Sequence, residues 1–163
     1  MAEFVPGVLR AADLNAALPL AATKLIDTNR NNSAVVSADP HLALPGVASR
    51  VYVVRASVLW VANATPDIKF CWFAPAGATM ANWRYLGNGT GGEALSARGV
   101  AATLTTEIFQ AADAADDAFD MWGTLIMGTT PGNFGVAWGP NSSNANNSTV
   151  KATSHITAIR VPA

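Results

Sequence analysis

Residues 87–92, Gly-Asn-Gly-Thr-Gly-Gly, match the G-x-G-x-x-G spelling of a dinucleotide-binding turn, with Glu107 or Asp113 near the spacing of a ribose-binding acid. The chemistry would be a pyrophosphate held by backbone N–H groups at a helix N-terminus, which needs a strand before the glycines and a helix after them. Here Glu93 to Val100 contains Ser96 and Gly99 and leads to another strand-like run, so the stretch reads as a hairpin loop. Asp113, Asp116, Asp117 and Asp120 form an acidic cluster that could attract calcium. An EF-hand loop requires oxygen ligands at alternate positions and a central glycine, and Ala111 to Asp120 has neither, so a solvated acidic loop is expected.

The two histidines, His41 and His155, stand far apart, and neither H-E-x-x-H nor C-x-x-C occurs, so no zinc site is expected. Cys71 sits between Phe70 and Trp72, the setting of a packed strand residue rather than a nucleophile. No G-x-S-x-G is present, and no Ser, His and Asp arrangement stands out. The Asn-x-Ser/Thr triplets at Asn63, Asn88, Asn141 and Asn147 mark polar surface turns. Exposed Trp83 or Trp138 could stack on a sugar, but no credible pair of acids accompanies them. The expectation is a protein without cofactor, metal or enzymatic activity.

Any functional surface must therefore come from the elements themselves. At 163 residues the chain is one domain with room for a sizeable core. Only 13% of residues are charged and the net charge is -1, which points away from nucleic acid and anionic membranes. Apolar runs are broken by Arg, Asn or Gly well short of the roughly 18 residues of a spanning helix. The N-terminus lacks the basic start and apolar block of a signal peptide. A single cysteine excludes an intrachain disulfide framework. Low charge with abundant Ala, Gly, Thr, Asn and Val fits a protein that buries surface against copies of itself or a larger assembly.

The organising stretch is Arg50 to Met80. Tyr52, Val54, Ala56, Val58, Trp60 and Ala62 alternate with Val51, Val53, Arg55, Ser57, Leu59 and Val61, so the first set faces a core and the second a partly covered surface. After a turn at residues 63–67, Ile68, Phe70 and Trp72 resume the pattern, and a hairpin of two long strands is the economical reading. Further strands are expected in residues 23–32, 33–40, 82–86, 104–109, 119–127, 133–138 and 149–161, with a short edge segment at 41–45. Residues 11–18 form a short helical run stopped by Pro19. The fold class is all-β, an antiparallel β-sandwich wound as a jelly roll of about eight strands. Residues 1–22 form an N-terminal arm and residues 23–163 the sandwich domain.

These motifs carry a resemblance. The sequence AADLNAAL, the long strand SRVYVVRASVLWVA, the segment PDIKFCWFAPAGATMANW and the ending GTLIMGTTPGNFGVAWGPNSSNANNSTVKATSHITAIRV occur in an order similar to that of small jelly-roll virion domains of actinobacterial tailed bacteriophages. The similarity covers about residues 10–161 and is most specific in the aromatic-PAGATM-x-W segment and in the Trp138 to Val161 ending.

The resemblance implies a fold similar to that of tumour necrosis factor, a compact homotrimer, and a place on the virion. The expected role is a capsid decoration protein, made in the host cytoplasm and bound to the major capsid protein or another virion protein through its arm. The alternative is a tail fibre or minor tail protein domain that binds a host surface glycan. The arm anchors would be Phe4, Leu14 and Leu18. The trimer interface would be the face of Val51, Val53, Leu59 and Val61, or its counterpart on the last strand. The candidate receptor loops would present Asn88, Thr90, Asn141 and Asn144.

Overall fold

The computed structural model describes residues 18–63, 65–87 and 97–161. They form β1 (Leu20–Thr23), β2 (Thr28–Arg30), β3 (Ser37–Gly46), β4 (Val51–Ala62), β5 (Ile68–Phe73), β6 (Trp83–Gly87), β7 (Ala97–Ala101), β8 (Ile108–Gln110), β9 (Asp117–Ile126), β10 (Gly132–Pro140), β11 (Ser148–Val150) and β12 (His155–Arg160). The larger sheet runs β1-β12-β4-β9-β6-β7, with β11 beside β4 and β2 beyond β11, and the smaller runs β3-β10-β5-β8. Among the described residues there is no helix.

The pairings nest. β1 pairs with β12, β3 with β10, β4 with β9 and β5 with β8, all antiparallel. One long ribbon closed at β5 and β8 has been rolled into two layers, which is the winding of a jelly roll. Seven of these eight answer expected strands, while β1 falls largely in residues assigned to the arm; β6 answers the strand expected at 82–86 but stands outside the roll, between β9 and β7, and β2, β7 and β11 extend the larger sheet.

Four local expectations are corrected. β4 and β5 are not a hairpin: β4 pairs with β9, β11 and β12, while β5 pairs with β10 and β8, so the turn at residues 63–67 carries the chain from one sheet to the other. The stretch 149–161 is two strands, because the N–H of Thr153 donates to the carbonyl of Lys24 and the N–H of Lys24 to that of Ser154. Leu20, Ala21 and Ala22 belong to the sheet rather than to the arm, through their register with Ala158, Thr157 and Ile156. Residues 37–46 likewise form one strand where a strand at 33–40 and an edge segment at 41–45 were expected. β3 holds Pro40 and Pro45, and it tolerates them because only β10 needs its donors.

Alternation sorts the core. Tyr52, Val54, Ala56, Val58, Trp60 and Ala62 are all buried, as are Ile68, Phe70 and Trp72 opposite them. Rings tie the layers together: Phe70 of β5 stacks on Phe119 of β9 at 4.8 Å, and Trp72 of β5 meets Trp83 of β6 edge-on at 6.4 Å. Tyr52 of β4 reaches Phe134 of β10 at 5.1 Å. β10 lies in the middle of its sheet and is buried along most of its length. At its bulge, a side chain on Gly135 would run into the carbonyl of Leu42, so glycine there permits the close approach of β3.

Candidate interaction surface

The second set of β4 residues lies on the outer face of the larger sheet. Val53 is 51% exposed and Leu59 38%, while Val51 and Val61 are half-buried. Register then decides their neighbours. Val53 stands opposite Ile159 of β12 and Thr124 of β9, and Val51 opposite Ile126 of β9. The N–H of Val161 donates to the carbonyl of Val51, which brings Val161 to the same border. Ile126, Ile159 and Val161 are exposed like Val53, so four large apolar side chains from β4, β9 and the β12 end adjoin one another in solvent.

The next row across this face is Thr157, Arg55, Trp122, Arg84 and Val100. Beyond it runs His155, Ser57, Asp120, Leu86 and Arg98. Arg55 lies 3.7 Å from Asp120, and its side chain is well exposed. A shallow depression of about 270 Å³ between Val53, Asn82, Arg84, Trp122 and Thr124 makes the surface uneven. The face can bury apolar area and form charged contacts.

Inside, the chain builds a polar node. The Lys24 ammonium lies 3.2 and 3.0 Å from the two Asp39 oxygens and 2.6 Å from Thr28 Oγ1. Asp39 also accepts from the N–H groups of His41 and Leu42 and from Trp138 Nε1 at 2.9 Å. Burial by itself would raise the Asp39 carboxyl, but the hydrogen bonds from His41, Trp138 and Lys24 outweigh it and hold the group below its ordinary range. Arg30 caps the node, its guanidinium 4.1 Å from the Trp138 ring centre and its N–H groups donating to the carbonyls of Ser37, Ala38 and Trp138. Every oxygen of Asp39 is engaged and no solvent reaches it, so the cluster is a tie between the sheets. Sequence reasoning missed it, since Lys24 and Asp39 look like ordinary loop and strand-end charges.

The remaining candidates are distributed as follows. Phe4, Leu14, Asn88 and Thr90 lie outside the described residues. Leu18 is 58% exposed. It borders a cleft of about 230 Å³ with Leu20, Val47, Tyr52 and Arg160. Asn141 is exposed. Asn144 is half-buried and held: its carbonyl accepts from Asn32 N–H and its Oδ1 from Asn146 N–H. Trp83 and Trp138, considered above as sugar platforms, are both 0% exposed, which removes that role from them. Trp83 instead donates from Nε1 to the carbonyl of Thr103 at 2.7 Å.

The glycine-rich motif joins β6 to β7, and these strands pair with each other from Trp83–Ala101 to Gly87–Ala97. Residues 88–92 of the motif lie outside the described residues, but the strand before it is followed by an antiparallel partner and not by the parallel strand of a βαβ unit. Of the acidic cluster, Asp116 lies 3.5 Å from Lys151 and Asp120 3.7 Å from Arg55. Among the described residues, no group of three or more His, Cys, Asp or Glu side chains is placed to hold a metal ion. Cys71 is buried, and burial pushes its thiol up to about 11. At neutral pH it is a packed thiol, not a nucleophile.

No protein-family model and no curated protein matches the chain. Among solved structures it weakly matches one described as "Structure of infectious bursal disease virus Gt strain", with 9% identity and a TM-score of 0.19 over 99% of this chain and 45% of that one. The chain thus spans less than half the length of that protein, and a likeness at this level carries no argument about role.

Proposed function

We propose that this chain is a structural virion protein of a tailed bacteriophage, a homotrimeric capsid decoration protein that assembles through the outer face of its larger sheet and grips the particle through its N-terminal arm. The observation that carries self-assembly is the adjoining exposure of Val53, Ile126, Ile159 and Val161. A contiguous apolar patch of this kind on a soluble domain marks a contact surface. The sequence resemblance to small phage virion domains supports the place on the particle, and the low charge agrees with extensive burial in an assembly.

Sedimentation velocity at micromolar concentration tests the first half: a trimer is expected, and a stable monomer would refute it. Deletion of residues 2–17 tests the second half, because it removes the arm and leaves β1 paired with β12. The truncated protein is expected to remain trimeric and to stop sedimenting with particles that lack the native protein. Undiminished binding would move the attachment surface to the sandwich.

A further inference from the structure

The charges on the outer face are unbalanced. Among the described residues it presents Arg55, Arg84 and Arg98 against Asp120, an excess of two positive charges. Asp120 is already beside Arg55. No carboxylate among the described residues lies within ion-pair distance of Arg84 or Arg98. Covering this face with a partner takes those guanidinium groups out of water, which is costly unless the partner supplies carboxylates.

The opposite imbalance stands at the Ala62 end of β4. There the Ala114 N–H donates to the Ala62 carbonyl and sets the loop between β8 and β9 at the margin of the sandwich. Asp113 on that loop is exposed and has no ion pair among the described residues. Asp116 and Asp27 share one cation, Lys151, at 3.5 and 4.0 Å. A two-fold contact centred on the apolar patch would lay the arginine face on itself, with only Asp120 from each copy to offset three arginines. A contact between the arginine face of one copy and the acidic margin of the next is attractive and joins two different surfaces, the kind of contact that closes as a ring when its rotation is one third of a turn.

Building on the trimer proposed above, we infer that the Arg84 row of each copy receives the Asp113–Asp116 loop of the next, so that charge selects heterologous three-fold closure over a two-fold dimer. Both partners are copies of this chain, and the apolar patch around Val53 supplies the area that the charged contact orients.

The test is charge reversal followed by sedimentation velocity, with circular dichroism to confirm that each variant is folded. Arg84→Glu and Asp113→Lys alone are each expected to raise the concentration at which the assembly half dissociates by about tenfold or more, and the double variant to recover most of that loss. Should reversal unfold either protein, Arg84→Gln and Asp113→Asn are expected to weaken assembly by about threefold each. A wild-type trimer in which all these variants assemble like wild type would overturn the pairing and leave the trimer standing. A wild-type dimer would overturn heterologous closure, and a wild-type monomer would overturn the trimer itself.

Discussion

Lys24 and Asp39 form an ion pair at 3.0 Å with neither side chain open to solvent. Lys24 follows β1 at the edge of the larger sheet and Asp39 belongs to β3 at the edge of the smaller, so the pair fastens the open side of the sandwich. Two isolated charges in that position would be costly; Thr28, Trp138 and the amides of His41 and Leu42 offset the desolvation.

Removing one partner strands the other. Asp39→Asn leaves the Lys24 ammonium buried without a counter-charge and is expected to lower unfolding free energy by about 3–5 kcal/mol. Urea unfolding followed by tryptophan fluorescence measures it; a midpoint within error of wild type would show that the pair is dispensable.

The same node makes stability depend on acid. The Asp39 pKa is lowered in the folded state, so its contribution is fully present above the unfolded aspartate value of about 3.9 and is lost as pH falls from there through the folded pKa. Unfolding free energy is expected to decline more steeply below pH ~4 in wild type than in Asp39→Asn. Parallel profiles for the two proteins would assign the acid sensitivity elsewhere.

The ring contacts across the layers predict a severe cavity mutant. Trp72 is 1% exposed and meets Trp83, so Trp72→Ala is expected to cost about 3–5 kcal/mol of a total of about 5–15 and to abolish the proposed trimer. A melting temperature within a few degrees of wild type would contradict the packing.

Cys71 should be silent until the protein unfolds. With its thiol pushed up to about 11, only about a thousandth is thiolate at pH 8, and burial denies access to reagents. Labelling by a disulfide reagent is expected to be far slower than in urea, and fast labelling of the native protein would place the thiol at the surface.

Val53 and Ile159 allow the proposed assembly to be tested apart from folding. Each side chain is half in solvent, so Val53→Asp or Ile159→Asp is expected to change the stability of the isolated chain by no more than about 1 kcal/mol while shifting the proposed trimer to monomer. Trimers that persist in both variants would move the interface off this face.

The alternation in Val51 to Ala62 was enough to name both faces of β4, because a side-chain period of two is a local property and one face must avoid water. For the same reason β6, β9 and β10 were legible near their true bounds. Partner choice was not legible. β4 and β5 follow each other in sequence yet lie in different sheets, since antiparallel pairing is decided by which apolar faces can be buried together, and the roll buries both only by separating them. Val53 finds Ile159, and Asp39 finds Trp138, across about a hundred residues, distances at which sequence carries no spacing signal. The sequence thus determined which side chains of each strand would seek the interior and which would face out. Only the tertiary structure decided that the outward ones would meet as an apolar patch edged by arginines, because register between distant strands is set by the packing of the whole core.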